Sequence, residues 1–142
     1  MTRIDFYLNA ESKLQLACRL ALKALRQRLR TVIHVPEEGT ARDLDRMLWA
    51  FPSTGFIPHC WESSRLAPDT PIVISRTEQS HVEGNLLLNL GDDPPRFFSR
   101  FDRMIEVVAR NDDNDKAAAR ARFRFYRERG YELTHHDMGK AM

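Results

Sequence analysis

RIDFYLNAESKLQLACRLALKALRQRLRTVIHVP, residues 3–36, is the stretch on which the fold turns. Its first six residues alternate polar and apolar and carry good β-formers, which predicts a strand. From Glu11 to Leu29 the apolar residues Leu14, Ala17, Cys18, Ala21, Leu22, Leu25 and Leu29 recur at helical spacing. Lys13, Arg19, Lys23, Arg26 and Arg30 lie mostly off that face. TVIHV (31–35) reads as a second strand, stopped by Pro36. A strand, a long helix and a strand form the unit from which parallel sheets are built, because parallel neighbours need a crossover of a dozen or more residues.

Working outward, the same alternation continues. Thr40 is placed to cap a helix over roughly 41–51, with Leu44, Met47, Leu48 and Phe51 on its apolar face. Pro52 and Gly55 open a looped stretch containing Phe56, Ile57, Pro58, His59 and Trp61. PIVIS (71–75) and NLLLNL (85–90) predict short buried strands. Pro94-Pro95 starts another helix carrying Phe97, Phe98 and Phe101. IEVVA (105–109) is a strand, and a last helix runs from about 113 to 129 and stops at Gly130. YELT (131–134) adds a final strand. The expectation is one α/β domain over residues 1–142, a mostly parallel sheet with helices on both faces.

The chain has 142 residues, of which 42% are hydrophobic and 30% charged, with a formal net charge of +2. A domain of this length buries close to ~70% of the surface its unfolded chain exposes, so it needs no metal or disulfide staple. No apolar run approaches the ~18–20 residues of a membrane span, and MTRIDFYLNAESK (1–13) lacks the apolar core of a signal peptide. Cys18 and Cys60 are too few for a disulfide scaffold, and the reading is a cytoplasmic protein. A near-neutral total argues against a protein that grips DNA along its length.

A doubly wound sheet invites a search for nucleotide chemistry. Gly39, Gly55, Gly84, Gly91, Gly130 and Gly139 are scattered and form neither GxGxxG nor GxxxxGK[ST], so no phosphate-cradling loop is encoded. The first junction, Leu8-Asn9-Ala10-Glu11-Ser12, holds no glycine and puts an acid where a phosphate would sit. His135 and His136 are adjacent on an extended segment, point to opposite faces and do not share a metal. His59-Cys60 is not a nucleophile pair, since sequence neighbours seldom bring their reactive atoms together. His34, inside an apolar strand, reads as structural. Asp112, Asp113 and Asp115 serve capping and the helix dipole. No catalytic, metal or cofactor residue emerges.

Two surfaces do stand out. In residues 116–129 six cations (Lys116, Arg120, Arg122, Arg124, Arg127 and Arg129) face the single acid Glu128, a net +5 inside a chain of +2. At ~100° per residue, Lys116, Arg120, Phe123, Arg124 and Arg127 share an arc of roughly 100°. An aromatic exposed among cations has no evident packing reason and suits a short acidic peptide with an aromatic end. A single-stranded nucleic acid, with Phe123 as a stacking platform, is the alternative ligand. Ala118, Ala119, Phe125 and Tyr126 form the buried arc, and Arg122 on that side is expected to pair with Glu106. The second surface is LWAFPSTGFIPH (48–59), dense in Trp, Phe, Ile and Pro. Such density in a loop marks either a cover over the core or a partner contact.

Phe6-Tyr7, LDRMLWAFPSTGFIPH (44–59), NLGDDPPRFFSRFDRMIEVVARNDD (89–113) and ARARFRFYRERGYEL (119–133), in that order, resemble the chi subunit of bacterial DNA polymerase III. The resemblance implies a Rossmann-like α/β fold without a nucleotide-binding loop and a non-catalytic accessory role at the replicative clamp loader. It implies two partners: the psi subunit or, through the same surface, a DinG-type helicase; and the acidic C-terminal tail of single-stranded DNA-binding protein. DNA is then reached only indirectly. Matched residue by residue, the tail-binding positions fall on Lys116, Arg120, Phe123, Arg124 and Arg127. The psi-facing positions fall on Trp49, Phe51, Pro52, Phe56, Ile57 and Pro58. The family's common Tyr-Lys pair reads Phe123-Arg124 here, which loses a hydroxyl and gains a forked cation.

Overall fold

The computed structural model describes residues 1–51 and 57–140. Among these residues seven strands and three α-helices follow in the order β1 (Arg3–Ala10), α1 (Lys13–Arg26), β2 (Thr31–His34), α2 (Glu38–Ala50), β3 (His59–Trp61), β4 (Ile72–Ser75), β5 (Leu86–Asn89), β6 (Arg103–Ala109), α3 (Asp113–Glu128) and β7 (Glu132–Asp137), so that no α-helix separates β3, β4, β5 and β6. The strands form one sheet in the order β3-β4-β2-β5-β6-β1-β7, and every pairing is parallel. The result is a doubly wound, Rossmann-like α/β sheet. α1 and α2 cover one face through Leu16, Ala17, Leu20, Ala21, Leu44 and Leu48, packed on Ile33, Ile74, Leu88 and Ile105. α3 and a segment carrying Phe97, Phe98 and Phe101 cover the other, against Ile4, Phe6, Val32, Leu87 and Met104. Each fully buried side chain of this kind contributes roughly 1.5–3 kcal/mol.

Most of the expected elements form, and the exceptions have identifiable causes. α2 starts three residues before position 41. Its cap is Glu37, whose carboxylate accepts from the N–H groups of Gly39 (2.9 Å) and Thr40 (2.5 Å), while the Thr40 hydroxyl donates to the same carboxylate. A glutamate, one methylene longer than the usual aspartate cap, therefore displaces Thr40 from that role. The helix expected after Pro94-Pro95 is only a single 3-10 turn, Phe98–Arg100, because Phe97, Phe98 and Phe101 all turn inward onto the sheet. β3 lies inside the stretch read as loop, at the edge of the sheet and paired with β4. At the first junction Asn9 takes φ +61° where β1 bulges against β6, and Ser12 caps α1 by accepting from the Gln15 N–H at 3.1 Å. Gly130 has φ +78° and ends α3 as expected.

Two polar clasps fix the half of the sheet that carries α3. Asp5, buried on β1, accepts from the Thr134 hydroxyl of β7 and from Nε of Arg103 on β6 at 2.6 Å. Burial alone would raise its carboxyl, but Thr134, Arg103 and Arg3 outweigh burial and hold it below the ordinary carboxylate range. The second clasp centres on Glu106 of β6, which has no exposed surface. Arg122 Nε donates to it at 2.9 Å, Asn89 Nδ2 at 3.0 Å and the Tyr126 hydroxyl at 2.5 Å. The expected pairing of Arg122 with Glu106 is thus present, and Arg122 also donates to the Asp92 carbonyl at 2.9 Å. Burial pushes the Glu106 carboxyl up, against the opposing pull of Arg122, Tyr126 and Asn89. Burial and the neighbouring Glu106 push the Tyr126 phenol up as well.

Removing one partner of a buried ion pair typically costs about 3–5 kcal/mol. Arg122→Met is therefore expected to lower unfolding free energy by that amount in urea. Glu106→Gln combined with Arg122→Met should cost less than the two single losses added, leaving a coupling of about 1–3 kcal/mol. Strict additivity would show that the pair does not hold α3.

Candidate functional site

α3 is capped by Asp112, whose carboxylate accepts from the Asp115 N–H at 3.0 Å. Asp115 does more than neutralise the helix dipole. It is buried, pairs with Lys13 of α1 at 2.8 Å and accepts from the Ala109 N–H at 2.8 Å, which ties the start of α3 to α1 and β6. Asp115, Ala119, Arg122 and Tyr126 form the buried stripe of the helix. The opposite side carries the cations. Arg120, Arg124 and Arg127 are exposed and Lys116 is half-buried.

Between α3 and the outer strands lies a depression of about 490 Å³. Phe6 and Leu8 of β1, Val108 of β6 and Ala119 and Phe123 of α3 give it an apolar floor. Lys116, Arg120, Asn9 and His135 complete its walls. Its depth follows from Ala119, the small residue between the two cations in helical sequence, and from the outward lie of Lys116 and Arg120. The floor follows from sheet order, since β6, β1 and β7 are neighbours only after folding.

Three of the five residues singled out on α3 meet in this depression: Lys116, Arg120 and Phe123. Arg127 lies over the Phe123 ring, 5.9 Å from its centroid, while Arg124 is exposed and does not line the depression. Phe123 corrects one expectation. It is half-buried and meets Phe6 edge to face, with centroids 5.4 Å apart, so it has a packing partner after all. Phe6, Leu8, Val108 and His135 were not picked out as site residues from the sequence. The alternation of β1, which puts Phe6 and Leu8 on one face, was the available signal.

His135 and His136 do face opposite sides of the sheet. His136 lies tilted against Tyr7 with centroids 4.7 Å apart, on the α1 side, while His135 lines the depression. Among the described residues no group of three or more His, Cys, Asp or Glu is placed to hold a metal ion. Cys18 and Cys60 are free thiols, and burial pushes that of Cys18 up to about 11. His34 is fully buried with Nε2 3.1 Å from Glu78, and burial pushes its imidazole down despite that carboxylate. A larger depression, about 1010 Å³, mixes Arg30 and Arg65 with Glu62 and Glu83. The Arg30 guanidinium there is engaged by the carbonyls of Ala67 and Pro68, so this hollow favours neither sign of ligand.

The aromatic block divides. Trp49 is 57% exposed and its indole lies tilted against the His59 ring, with centroids 4.8 Å apart. His59 is held between the Ile57 carbonyl at 2.7 Å and Asp45 at 2.9 Å. Phe51 is half-buried against the α1/α2 core and Pro58 is half-buried. Ile57 is fully buried, so it supports this surface from beneath and offers no contact area of its own. Pro52 and Phe56 lie outside the described residues.

Fold and site together define a parallel α/β protein bearing an apolar-floored, cation-walled surface depression and no glycine-rich phosphate loop. Residues 1–134 match the family model described as "DNA polymerase III chi subunit, HolC". The chain is 38% identical to the DNA polymerase III subunit chi of Pseudomonas aeruginosa, over 96% of each chain. It is 30% identical to that of Haemophilus influenzae, over 88% of this chain and 87% of the relative. For Escherichia coli the identity is 29%, over 84% and 81%. The chain belongs to the DNA polymerase III chi subunit family, accessory subunits of the replicative polymerase. Among solved structures it resembles the C-terminal domain of yeast Dbp5 bound to Gle1 and IP6, with a TM-score of 0.61 at 11% identity, covering 96% of this chain and 90% of that one. That likeness extends to the fold alone.

Phe123→Ala is expected to lower stability by about 1–2 kcal/mol, because a half-buried ring loses its edge-to-face contact with Phe6. An unchanged urea midpoint would return Phe123 to the status of a purely exposed side chain.

Proposed function

We propose that the chain is a non-catalytic adaptor that links the clamp loader, through psi, to single-stranded DNA-binding protein by capturing that protein's acidic C-terminal tail. The observation that carries this reading is the depression on α3, whose floor is apolar and whose α3 wall is cationic. An aromatic end of a peptide fits the floor, and burying it contributes roughly 1.5–3 kcal/mol. The carboxylates of the same peptide meet Lys116 and Arg120 in charge-assisted hydrogen bonds, with Arg124 and Arg127 continuing the field along the helix. Ordering costs leave a net affinity on the order of micromolar that weakens with salt. Many copies of single-stranded DNA-binding protein on one template raise the effective concentration, so a modest contact suffices.

Nucleic acid as the direct ligand is less well served. A stacking platform needs a free ring face, whereas Phe123 lies edge to face with Phe6 and has Arg127 beside it. The sheet sets α3 beside β1 and β7 at one edge, and Trp49 with Pro58 beside β3 at the other. On the 48–59 block Trp49, Phe51 and Pro58, continued by Pro52 and Phe56, are proposed to meet psi or a DinG-type helicase. Ile57 stays in the core. A cytoplasmic site of action follows from the partners proposed.

Arg120→Ala is expected to weaken binding to full-length single-stranded DNA-binding protein by about ten- to hundredfold, the value of one charge-assisted contact, with circular dichroism unchanged. Equal binding to a partner lacking its last residues would refute tail capture. Trp49→Ala should abolish co-purification with psi while leaving tail affinity within about twofold, since an exposed anchor at one surface is independent of a distant one. Loss of both activities together would show that the two surfaces are not separate.

A further inference from the structure

A second run of cations lies on the other face of the sheet. Between Glu11 and Glu37 the chain carries no acid, but it carries Lys13, Arg19, Lys23, Arg26, Arg28 and Arg30, a local charge of +6. Arg19, Lys23, Arg26 and Arg28 are exposed. At ~100° per residue Arg19, Lys23 and Arg26 share an arc of about 60° on the outer side of α1, spanning roughly 11 Å of its axis. Arg28 stands two residues past the end of the helix. Among the described residues none of these four side chains makes an ion pair or a hydrogen bond. Lys13, off that arc, is engaged by Asp115 at 2.8 Å, and Arg30 by the carbonyls of Ala67 and Pro68.

A helix face that serves only solubility interleaves both signs, as neighbouring α2 does. There Arg42 pairs with Glu38 at 2.7 Å, Arg46 with Asp43, and Asp45 with His59 at 2.9 Å. The outer side of α1 has no such pair. The helix dipole accounts for Lys23 and Arg26, which lie in the last turn, but not for Arg19 in the middle of the helix. Arg28 has φ +59°, a left-handed conformation at a helix end where glycine is the usual residue. A cation is kept there against a conformational cost.

We propose that the outer face of α1 contacts the phosphate backbone of duplex DNA through Arg19, Lys23, Arg26 and Arg28. The inference needs neither tail capture nor psi. The exposed large hydrophobic side chains among the described residues are Met1, Trp49 and Leu66, and none lies on α1. A protein partner calls for a buried anchor, and a single strand for a ring on which bases stack. The α1 face offers neither. Cations without an anchor suit the densest regular polyanion, a duplex with one charge per about 1.7 Å of its axis. The apolar side of α1 is packed on the sheet, so the helix does not sink into a lipid surface. Four phosphate contacts give a weak grip that reads no sequence. Such a grip acts where the chain is already held beside DNA, as an accessory subunit of a replicative polymerase is. α1 and α3 cover opposite faces of the sheet, so both helices are free to act at once.

The test is fluorescence anisotropy of a labelled random-sequence duplex of about 20 base pairs, titrated with the full chain alone across about 50–200 mM salt. Log affinity against log salt should have a slope of about −3.6, from four contacts at about −0.9 each, a loss on the order of a hundredfold across that range. Arg19→Gln combined with Lys23→Gln should halve the slope to about −1.8. Circular dichroism should not change, because glutamine matches arginine and lysine in helix propensity on an exposed face. Arg42→Gln combined with Arg46→Gln, on α2, should leave the slope as it is. No binding at the lowest salt overturns the proposal, as does tighter binding to a single strand of the same length. A slope that survives the α1 variant and falls instead in Arg124→Gln combined with Arg127→Gln assigns the contact to α3 and also overturns it. None of these results touches tail capture, since no tail peptide is present.

Discussion

A carboxylate with no exposed surface, Glu106, sets the geometry of the half of the sheet that carries α3. Burying such a group is costly unless its oxygens are filled with donors. They come from three elements: Asn89, its register neighbour on β5, and Arg122 and Tyr126 on α3. Sliding α3 by one turn would move both helical donors away and leave the charge unpaired. The helix is therefore held at one rotation and one height. Asp115, bonded to Lys13 and to the Ala109 N–H, holds its first turn in the same way.

The surface follows from that constraint. With Arg122 and Tyr126 turned inward, Ala119 and Phe123 face the outer strands, and Arg120, Arg124 and Arg127 face solvent. The Asp5 clasp to Thr134 and Arg103 keeps β1 between β6 and β7, which brings Phe6, Leu8, Val108 and His135 under the helix. A buried acid thus decides where exposed cations stand. The net charge of +2 describes the chain poorly, because it averages over a local excess of +5 in residues 116–129.

Much of this was legible before folding. The apolar period of residues 11–29, the β-branched runs and Gly130 reported the parallel α/β architecture because each is a local signal. The cation stripe was legible for the same reason, as all its members lie on one helix. The floor of the depression was not, because it is assembled from β1, β6 and β7, whose adjacency depends on strand order. His135 reads in sequence as part of a polar tail, and only its pairing with Phe6 places it in the site. β3 was hidden because three residues inside an aromatic and proline-rich stretch carry no period. Phe97, Phe98 and Phe101 gave a false helix signal, since their spacing serves packing onto the sheet rather than a continuous helical face. Ile57 was grouped with surface aromatics by composition, and burial separates it from them.

Where an acidic tail touches the chain is read directly by amide chemical-shift mapping of the isotope-labelled protein. On titration with the cognate tail peptide, the perturbed amides are expected to cluster on α3 between Lys116 and Arg127, at the end of β1 near Leu8 and Asn9, and on β7 around His135. Perturbations centred instead on Trp49 and the neighbouring block, or spread over the sheet without focus, would contradict capture on α3.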